Sequence, residues 1–402
     1  MQRLVNPVQP YAWGSRTLLA EFLGSTSPAP QPQAELWLGA HPSAPSRLVT
    51  EDGEQALDDV VSLPFLLKVL AVAGPLSLQV HPDLAAAQEG FAAEESEGVA
   101  LDSRERLFRD ANHKPELICA LTPFEALCGL RPVEELDALL AELAVPQFQP
   151  VAGRLGEPEG RRALLEAVLG PPDPGALVAD VVEACGRPAL TAGEFAAAYD
   201  GVVELARRFP GDPGVVVSVL LNRVRLDPGQ ALFIPPGRLH AYLSGLGVEV
   251  MACSDNVLRG GLTGKHVDVP QLLAAADFGP DQLTAVAPRP GEDGWEHYDV
   301  PVDDFALSRA DLKGGTLVSA DDGPQILLCV DGQLRLADEA GRADLRRGES
   351  VFAPAGARLE VSGTGSLVRA AAGRPRVGPA GSLSTCTAHR QQMNALPESS
   401  TP

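Results

Sequence analysis

Lysine is almost missing from this chain: of 32 basic residues only four are lysines, at 68, 114, 265 and 313. Arginine therefore serves as the ordinary surface cation, and a position that keeps lysine calls for a compact ammonium rather than a planar guanidinium. Three of the four lie beside the segments singled out below. Positive charge is scarce overall, with a formal net charge of −21, which disfavours nonspecific attachment to nucleic acid or to an anionic membrane. The six cysteines, at 119, 128, 185, 253, 329 and 386, form no C-x-x-C pair. Reduced thiols are expected, a disulfide framework and a thiolate zinc site are not, and any metal must take nitrogen and oxygen ligands. No apolar run reaches the roughly 18 residues of a membrane span. The opening MQRLVNPVQPYAWG has no signal-peptide core, so a cytoplasmic protein is expected. With 402 residues, two or three domains are the starting expectation.

What is present is mainly β pattern interrupted by helix. Residues 1–131 read as short strands and turns: AELWLGAHPS is an extended run, and LPFLLKVLAVAGPLSLQVHPD holds two apolar runs parted by Ala-Gly-Pro. From Asp83 to Asp110 the composition shifts to Ala, Glu and Arg, which suits helical or mobile cover. Residues 132–222 carry helix-period segments separated by Pro and Gly, a helical insertion without a catalytic constellation. β pattern resumes at 223. There LDPGQALFIPPGRL (226–239) aligns with LRRGESVFAPAGAR (345–358) at a constant offset of 119, matching Leu226/Leu345, Gly229/Gly348, Phe233/Phe352, Pro235/Pro354 and Gly237/Gly356. The repeated turn–strand–turn resembles the signature of cupin jelly-roll barrels. The first copy continues into His240 where the second has Leu359, so one barrel would own a ligand histidine and the other would not. An Asp-Gly hairpin within QILLCVDGQLRLAD supports the second barrel. The expected fold is thus mainly β: two cupin-like jelly-roll β-barrels plus an α-helical domain. The first barrel is discontinuous (1–131 and 223–285), the helical insertion spans 132–222, and the second barrel, without a metal site, spans 286–372. An aperiodic, disordered tail covers 373–402.

Alternate residues of a strand share a face, and four segments place polar residues at i and i+2: Gln79/His81, Lys114/Glu116, His240/Tyr242 and, in GVEVMACSDN, Glu249 with Met251. Two histidines with Glu116 make a sound three-ligand set for zinc, and Gln79 adds a neutral oxygen. Such a site would keep a net positive charge and act on a substrate oxygen as a Lewis acid. The loop from Ser254 to His266 adds Asp255, Arg259, Lys265 and His266, of which the cations Arg259 and Lys265 suit a phosphate or a developing oxyanion. Taken singly, each residue is more often structural than functional.

The segments YAWG (11–14), PFLLKVL (64–70), LSLQVHPD (76–83), NHKPE (112–116), GRLHAYLSG (237–245) and GVEVMACSDNVLRGGLTGKH (247–266) occur in this order. Together the chain resembles the type I mannose-6-phosphate isomerases, metal-dependent phosphomannose isomerases of the cupin superfamily. The resemblance implies one zinc ion per chain, held by Gln79, His81, Glu116 and His240. It implies interconversion of mannose 6-phosphate and fructose 6-phosphate through an enediol or enediolate. Arg259 matches the family's essential active-site arginine. Asp255, His113 and Lys114 are candidates for proton handling, with Glu249 in support and the identity of the base left open. Lys68 and Lys265 are candidate phosphate contacts, Trp13 a wall for the sugar ring, and Ser77 and Tyr242 substrate neighbours. Gly264 stands where the family usually has proline before the lysine. A monomer with a small phosphosugar substrate and no nucleic-acid or membrane partner is expected. An Fe(II) cupin oxygenase is the rival enzyme class, but no G-x-H-x-H pattern occurs; a non-catalytic sugar-binding cupin is the rival outside enzymes.

Overall fold

The computed structural model describes residues 1–188, 190, 193–279 and 285–373. The tail expected over 373–402 lies outside these from residue 374 onward. Strands dominate, in two large antiparallel sheets whose pairing runs along open paths among the described residues. The first sheet is built around one long strand, His240–Ala252. Its later residues pair with Phe65–Val72 on one side and Glu116–Ala120 on the other. Its first residues pair with Phe124–Leu130 and, through His240 opposite Gln79, with Leu78–Val80. A strand with two sets of partners has to bend. Gly245 permits it: its φ is +121°, and a Cβ there would lie 2.7 Å from the Pro123 carbonyl oxygen. Phe65–Val72 is buried along its whole length, which is why it reads as an almost unbroken apolar run with Lys68 as its one polar member.

The second sheet runs from Arg289–Pro290 through Glu296–Tyr298, Ala306–Ala320, Arg358–Ala371, Gln325–Asp338 and Ser350–Ala353, and ends on Gln2–Val5, Arg47–Thr50 and Gly53–Ala56. Three strands from the start of the chain therefore complete the sheet of its end, with Gln2 opposite Phe352 and Leu4 opposite Ser350. This pairing covers what would otherwise be an open sheet edge, and it crosses the sequence boundaries drawn at 131 and 286. Between the sheets Leu67, Val69, Val248 and Val250 meet Leu307, Ile326, Leu328 and Phe352 in one core.

The internal repeat is a repeat of conformation. Gly229 and Gly348 have φ of +88° and +87°, Gly237 and Gly356 of +83° and +74°, each pair flanking a buried four-residue strand, Ala231–Ile234 or Ser350–Ala353. Left-handed backbone favours glycine at all four positions. At the point where the first copy presents His240, Leu359 of the second packs into an apolar core with Leu334, Leu345 and Val351. One expectation fails: QILLCVDGQLRLAD makes no hairpin. Gln325–Asp338 is a single strand paired along its length with Arg358–Ala371, and Gly332 (φ +74°) falls beside a register shift between Cys329 and Asp331. The Asp-Gly signal marks a bulge because a long partner strand lies beside both halves.

Helices Val133–Leu143, Pro158–Leu169, Gly175–Cys185, Ala196–Arg208 and Gly214–Leu220 lie in the segment read as an insertion. The first buries Leu136, Leu139, Leu140 and Leu143, a helical stripe. The last is buried on all sides, so it has no polar face to reveal a period. These helices share a core with Leu78, Val80, Leu127 and Leu258 and thereby brace the short strand that carries Gln79. Helix Leu84–Glu97 starts at Asp83, whose Oδ1 accepts the Ala86 N–H at 2.8 Å; the final residue of the QVHPD motif is a helix cap. Cys119, Cys128, Cys185 and Cys329 are buried and in no disulfide. Among the described residues no helix is long and apolar enough to cross a membrane.

Gly245→Ala forces a Cβ against the Pro123–Phe124 backbone from a left-handed φ. We expect it to lower the unfolding free energy by about 1–3 kcal/mol, read as a reduced urea midpoint.

Candidate active site

The deepest part of the site consists of acceptors. His81 follows the strand Leu78–Val80, and Pro82, which has no N–H, ends the pairing there. The His81 Nδ1–H donates to the Asn256 carbonyl oxygen at 2.7 Å, and that of His240 to the Arg238 carbonyl oxygen at 2.9 Å. With Nδ1 so used, each Nε2 presents a lone pair. Both lone pairs face Glu116, at 3.2 Å from His81 Nε2 to Oε1 and 3.4 Å from His240 Nε2 to Oε2. Buried His81 Nε2 and Glu116 Oε2 have no hydrogen-bond partner, an arrangement that costs free energy unless a cation completes it. The ligand atoms of His81, Glu116 and His240 lie within 4.8 Å of one another. The carboxamide of Gln79 stands 3.1 Å from His240 Nε2. Burial drives the His81 pKa down to about 4, which keeps the ring neutral and able to ligate. Burial alone would raise Glu116; Lys114 above all, with Nζ 3.1 Å from Oε1, reverses this and holds it well below the usual carboxylate range. Two neutral imidazoles, one carboxylate and an amide within reach are a donor set that zinc accepts, so the residues fit the metal that the sequence implied.

Asn256, wholly buried, joins the segments that bear these ligands. Its side-chain amide donates to the carbonyl oxygens of Asp110 and Asn112 at 2.7 and 2.9 Å, and its Oδ1 accepts the Arg109 N–H at 2.7 Å. Its own carbonyl holds His81. The SDN motif is thus the fastening between the NHKPE and QVHPD segments.

Above the metal ligands opens a cavity of about 870 Å³. Gln79, Lys114 and Glu116 form its floor, and Trp13, Ser77, Lys68, Tyr242, Glu249, Asp255, Arg259 and Lys265 also line it. His81 and His240 lie buried beneath. His113 does not line it: its Nε2 pairs with Asp304 Oδ2 at 2.9 Å, toward the second sheet. In this arrangement the His113 ring is engaged away from the cavity. The rule of alternation explains this, since Lys114 and Glu116 share one side and the intervening neighbours turn elsewhere.

One wall is a chain of buried charges. Lys68 Nζ lies 3.5 Å from Glu35 Oε2 and 3.6 Å from Glu249 Oε2, and 5.2 Å from the centre of the Trp37 ring. Burial disfavours its charge, but Glu35 and Glu249 outweigh this and raise its pKa. Tyr242 donates its hydroxyl to Glu249 at 2.9 Å. Burial first, then the nearby charge of Glu116, pushes Glu249 up to about 7. Lys68 thus lines the cavity with its ammonium shared between two carboxyl groups. Opposite stands Asp255, with Oδ2 3.4 Å from His41 Nε2. Burial would raise its pKa; the His41 contact above all, then Lys114 and Lys68, bring it below the usual range.

The cavity also gathers cations. Arg109, Arg208, Arg259 and Lys265 reach it. Among the described residues no carboxylate oxygen lies within 4 Å of the charged nitrogens of Arg109, Arg259 or Lys265. Burial and mutual repulsion lower the pKa of Arg259 and Lys265. Unpaired cations gathered in a protein of net charge −21 mark a place for an anion. Arg259 faces Gln79 across adjacent strands. The loop beyond it is held from the helical segment: Asp212 accepts the N–H groups of Leu262 and Thr263 at 2.9 and 3.2 Å, fixing Leu262 at φ +53°.

The sequence reading passed over Glu35, Trp37, Arg109, Arg208 and His41. Glu35 and Trp37 alternate in AELWLGAHPS as the metal ligands do, and that signal was available. Arg109 and Arg208 come from a loop and a helix end with no local pattern.

Residues 1–133 match the family description "Phosphomannose isomerase type I, catalytic domain", and residues 296–372 match "Mannose-6-phosphate isomerase, cupin domain". The chain is 39% identical over 408 residues to the mannose-6-phosphate isomerase of Salmonella typhimurium, covering 92% of this chain and 99% of that protein. It is 34% identical over 382 residues to that of Homo sapiens, covering 81% and 86%. Among solved structures, a zinc-bound mannose 6-phosphate isomerase superposes with a TM-score of 0.85 at 37% identity, covering 93% of this chain and 99% of the other.

Two outcomes are expected. His81→Ala abolishes zinc binding, and Asn256→Ala weakens it by about 10–100-fold, measured by competition with a chromogenic chelator. In metal-free protein Glu249 binds its proton up to about pH 7, against a reference value of 4.5, so this group costs stability as pH rises through that window. Glu249→Gln should therefore gain on the wild type between pH 4.5 and 7 in urea titrations.

Proposed function

The chain belongs to the type I phosphomannose isomerase family, and from that premise we infer that it interconverts mannose 6-phosphate and fructose 6-phosphate with the residues described above. The observation that carries this reading is one cavity that joins a buried metal-type donor set at its floor to cations, Arg109, Arg259 and Lys265, that have no carboxylate partner among the described residues. A sugar phosphate has matching groups: vicinal oxygens that react and a dianion that does not.

His81, Glu116 and His240, with Gln79, would hold zinc, which when bound supplies Lewis-acid stabilisation of charge developing on the sugar oxygens O1 and O2. The rest falls to side chains. Conversion removes the proton from C2 of the open-chain aldose, gives an enediol or enediolate, and returns a proton to C1, while O2 loses its proton and O1 gains one. Lys114 and Asp255, both on the cavity wall, are the proton carriers we assign. Arg259 supports the enediolate charge. Arg109 and Lys265, with Arg208 at the rim, take the phosphoryl group, a role we move away from Lys68. Lys68 and Tyr242 instead position Glu249. Trp13 and Ser77 border the sugar. We assign the zinc centre to a catalytic unit drawn mainly from 1–131 and 223–285, with 132–222 as its brace and 286–372 as a second cupin-like unit without metal. The charge balance suits a cytoplasmic enzyme, which we take as a monomer with no nucleic-acid or membrane partner.

A coupled assay for fructose 6-phosphate formation should show turnover that chelation abolishes and zinc restores; full rate after verified metal removal would falsify the mechanism. Arg259→Ala should keep zinc and lose about 10²–10³ in kcat. Arg109→Ala should raise KM for mannose 6-phosphate by about 10-fold or more, the worth of a charge-assisted hydrogen bond to an anion, and weaken competitive inhibition by inorganic phosphate.

A further inference from the structure

His41 is buried behind the cavity wall and does not line it. Its environment nonetheless specifies its proton. The Ser43 backbone N–H points to its Nδ1 at 3.3 Å, and Ser43 Oγ lies 2.8 Å from the same nitrogen. A backbone N–H can only donate, so Nδ1 is the acceptor and the ring proton sits on Nε2. Trp37 packs edge-on against the ring with centroids 4.9 Å apart, which limits rotation. Nε2 then faces Asp255 Oδ2 at 3.4 Å.

Asp255 is held from two directions. Its main-chain N–H donates to Asp110 Oδ2 at 2.7 Å, and the preceding Ser254 hydroxyl donates to Asp110 Oδ1 at 2.8 Å. The backbone is therefore fixed, while among the described residues His41 is the side chain recorded against the carboxylate itself. Oδ2 is engaged from behind, and Asp255 lines the cavity. An aspartate has two side-chain torsions, and without the contact from behind its carboxylate is free to turn toward Lys114 or the other cations of the cavity.

We propose that His41 is a positioning residue for Asp255: it donates Nε2–H to Oδ2 and thereby aims Oδ1 at the sugar hydroxyls. This rests on the isomerase reading, in which Asp255 handles a substrate proton. His41 itself touches neither sugar nor metal ligand. Its effect passes through one contact, so it should disappear when Asp255 is absent.

The test is a double-mutant cycle on the zinc-loaded enzyme with mannose 6-phosphate. His41→Leu is expected to lower kcat at least 10-fold with KM within about twofold and zinc content unchanged. His41→Gln, which restores a donor near the Nε2 position, should recover much of the loss; His41→Asn, whose donor is too short to reach, should not. In an Asp255→Ala background none of these changes should reduce kcat further. Wild-type rates for His41→Leu and His41→Asn, or losses that multiply with that of Asp255→Ala, overturn the proposal. So does a His41→Gln no better than His41→Asn, a comparison that stands even where the leucine variant does not fold. A readout without turnover separates this from the isomerase reading: the His41 Nε2–H resonance in ¹⁵N–¹H spectra should move in Asp255→Ala. Failure of wild-type turnover alone would count against the isomerase, and an unmoved resonance against the His41 contact.

Discussion

A carboxylate buried between two imidazole lone pairs is the constraint on which the rest of this molecule depends. Glu116 faces His81 and His240 at 3.2 and 3.4 Å, and nothing in that cluster except Lys114 supplies positive charge. Without a cation such a cluster would push apart, because desolvated like groups have no water to screen them. The surroundings are built to prevent that. Backbone carbonyls fix both rings, strand pairing sets His240 opposite Gln79, and Asn256 ties three separate segments together. The preorganisation lies in the β framework, and the helices behind Leu78–Val80 keep that strand from yielding.

Charge is sorted along the cavity. Near the metal ligands, carboxyl groups and lysines interleave, so Glu249 rises toward neutrality while Asp255 stays ionised. Two acids in one pocket thereby acquire opposite protonation habits. Among the described residues Arg109, Arg259 and Lys265 have no carboxylate partner, and their mutual repulsion is stored until an anion arrives. Binding energy from a remote, unreactive phosphoryl group can then be used to orient the carbon atoms that react.

Much of this was legible in the primary structure where function and strand alternation coincide. Gln79/His81, Lys114/Glu116 and His240/Tyr242 each announce a shared strand side, and the structure brings the members of all three pairs to or just beneath one cavity. The glycines of the 119-residue repeat announce two copies of one turn because four left-handed backbones leave little choice of residue. Legibility ends where a residue's role depends on partners distant in sequence. His113 looked as reactive as Lys114, but Asp304, 191 residues away, claims it. Asp331-Gly332 read as a hairpin because the neighbouring strand that straightens it is not local. Arg109 and Arg208 reach the cavity through tertiary packing, and His41 through contacts with Ser43 and Asp255 that no period encodes.

The strand Gln2–Val5, seated between Ser350–Ala353 and Arg47–Thr50, also bears on how the chain assembles. One of its two neighbours is made some 345 residues after it. The opening segment must wait, paired on one side only, while the catalytic sheet and its helices form. Nearly the whole chain is enclosed by this closing contact. Loop closure on that scale is slow compared with local pairing, so the contact between Gln2–Val5 and Ser350–Ala353 is expected to form after the hairpin and helix contacts around it.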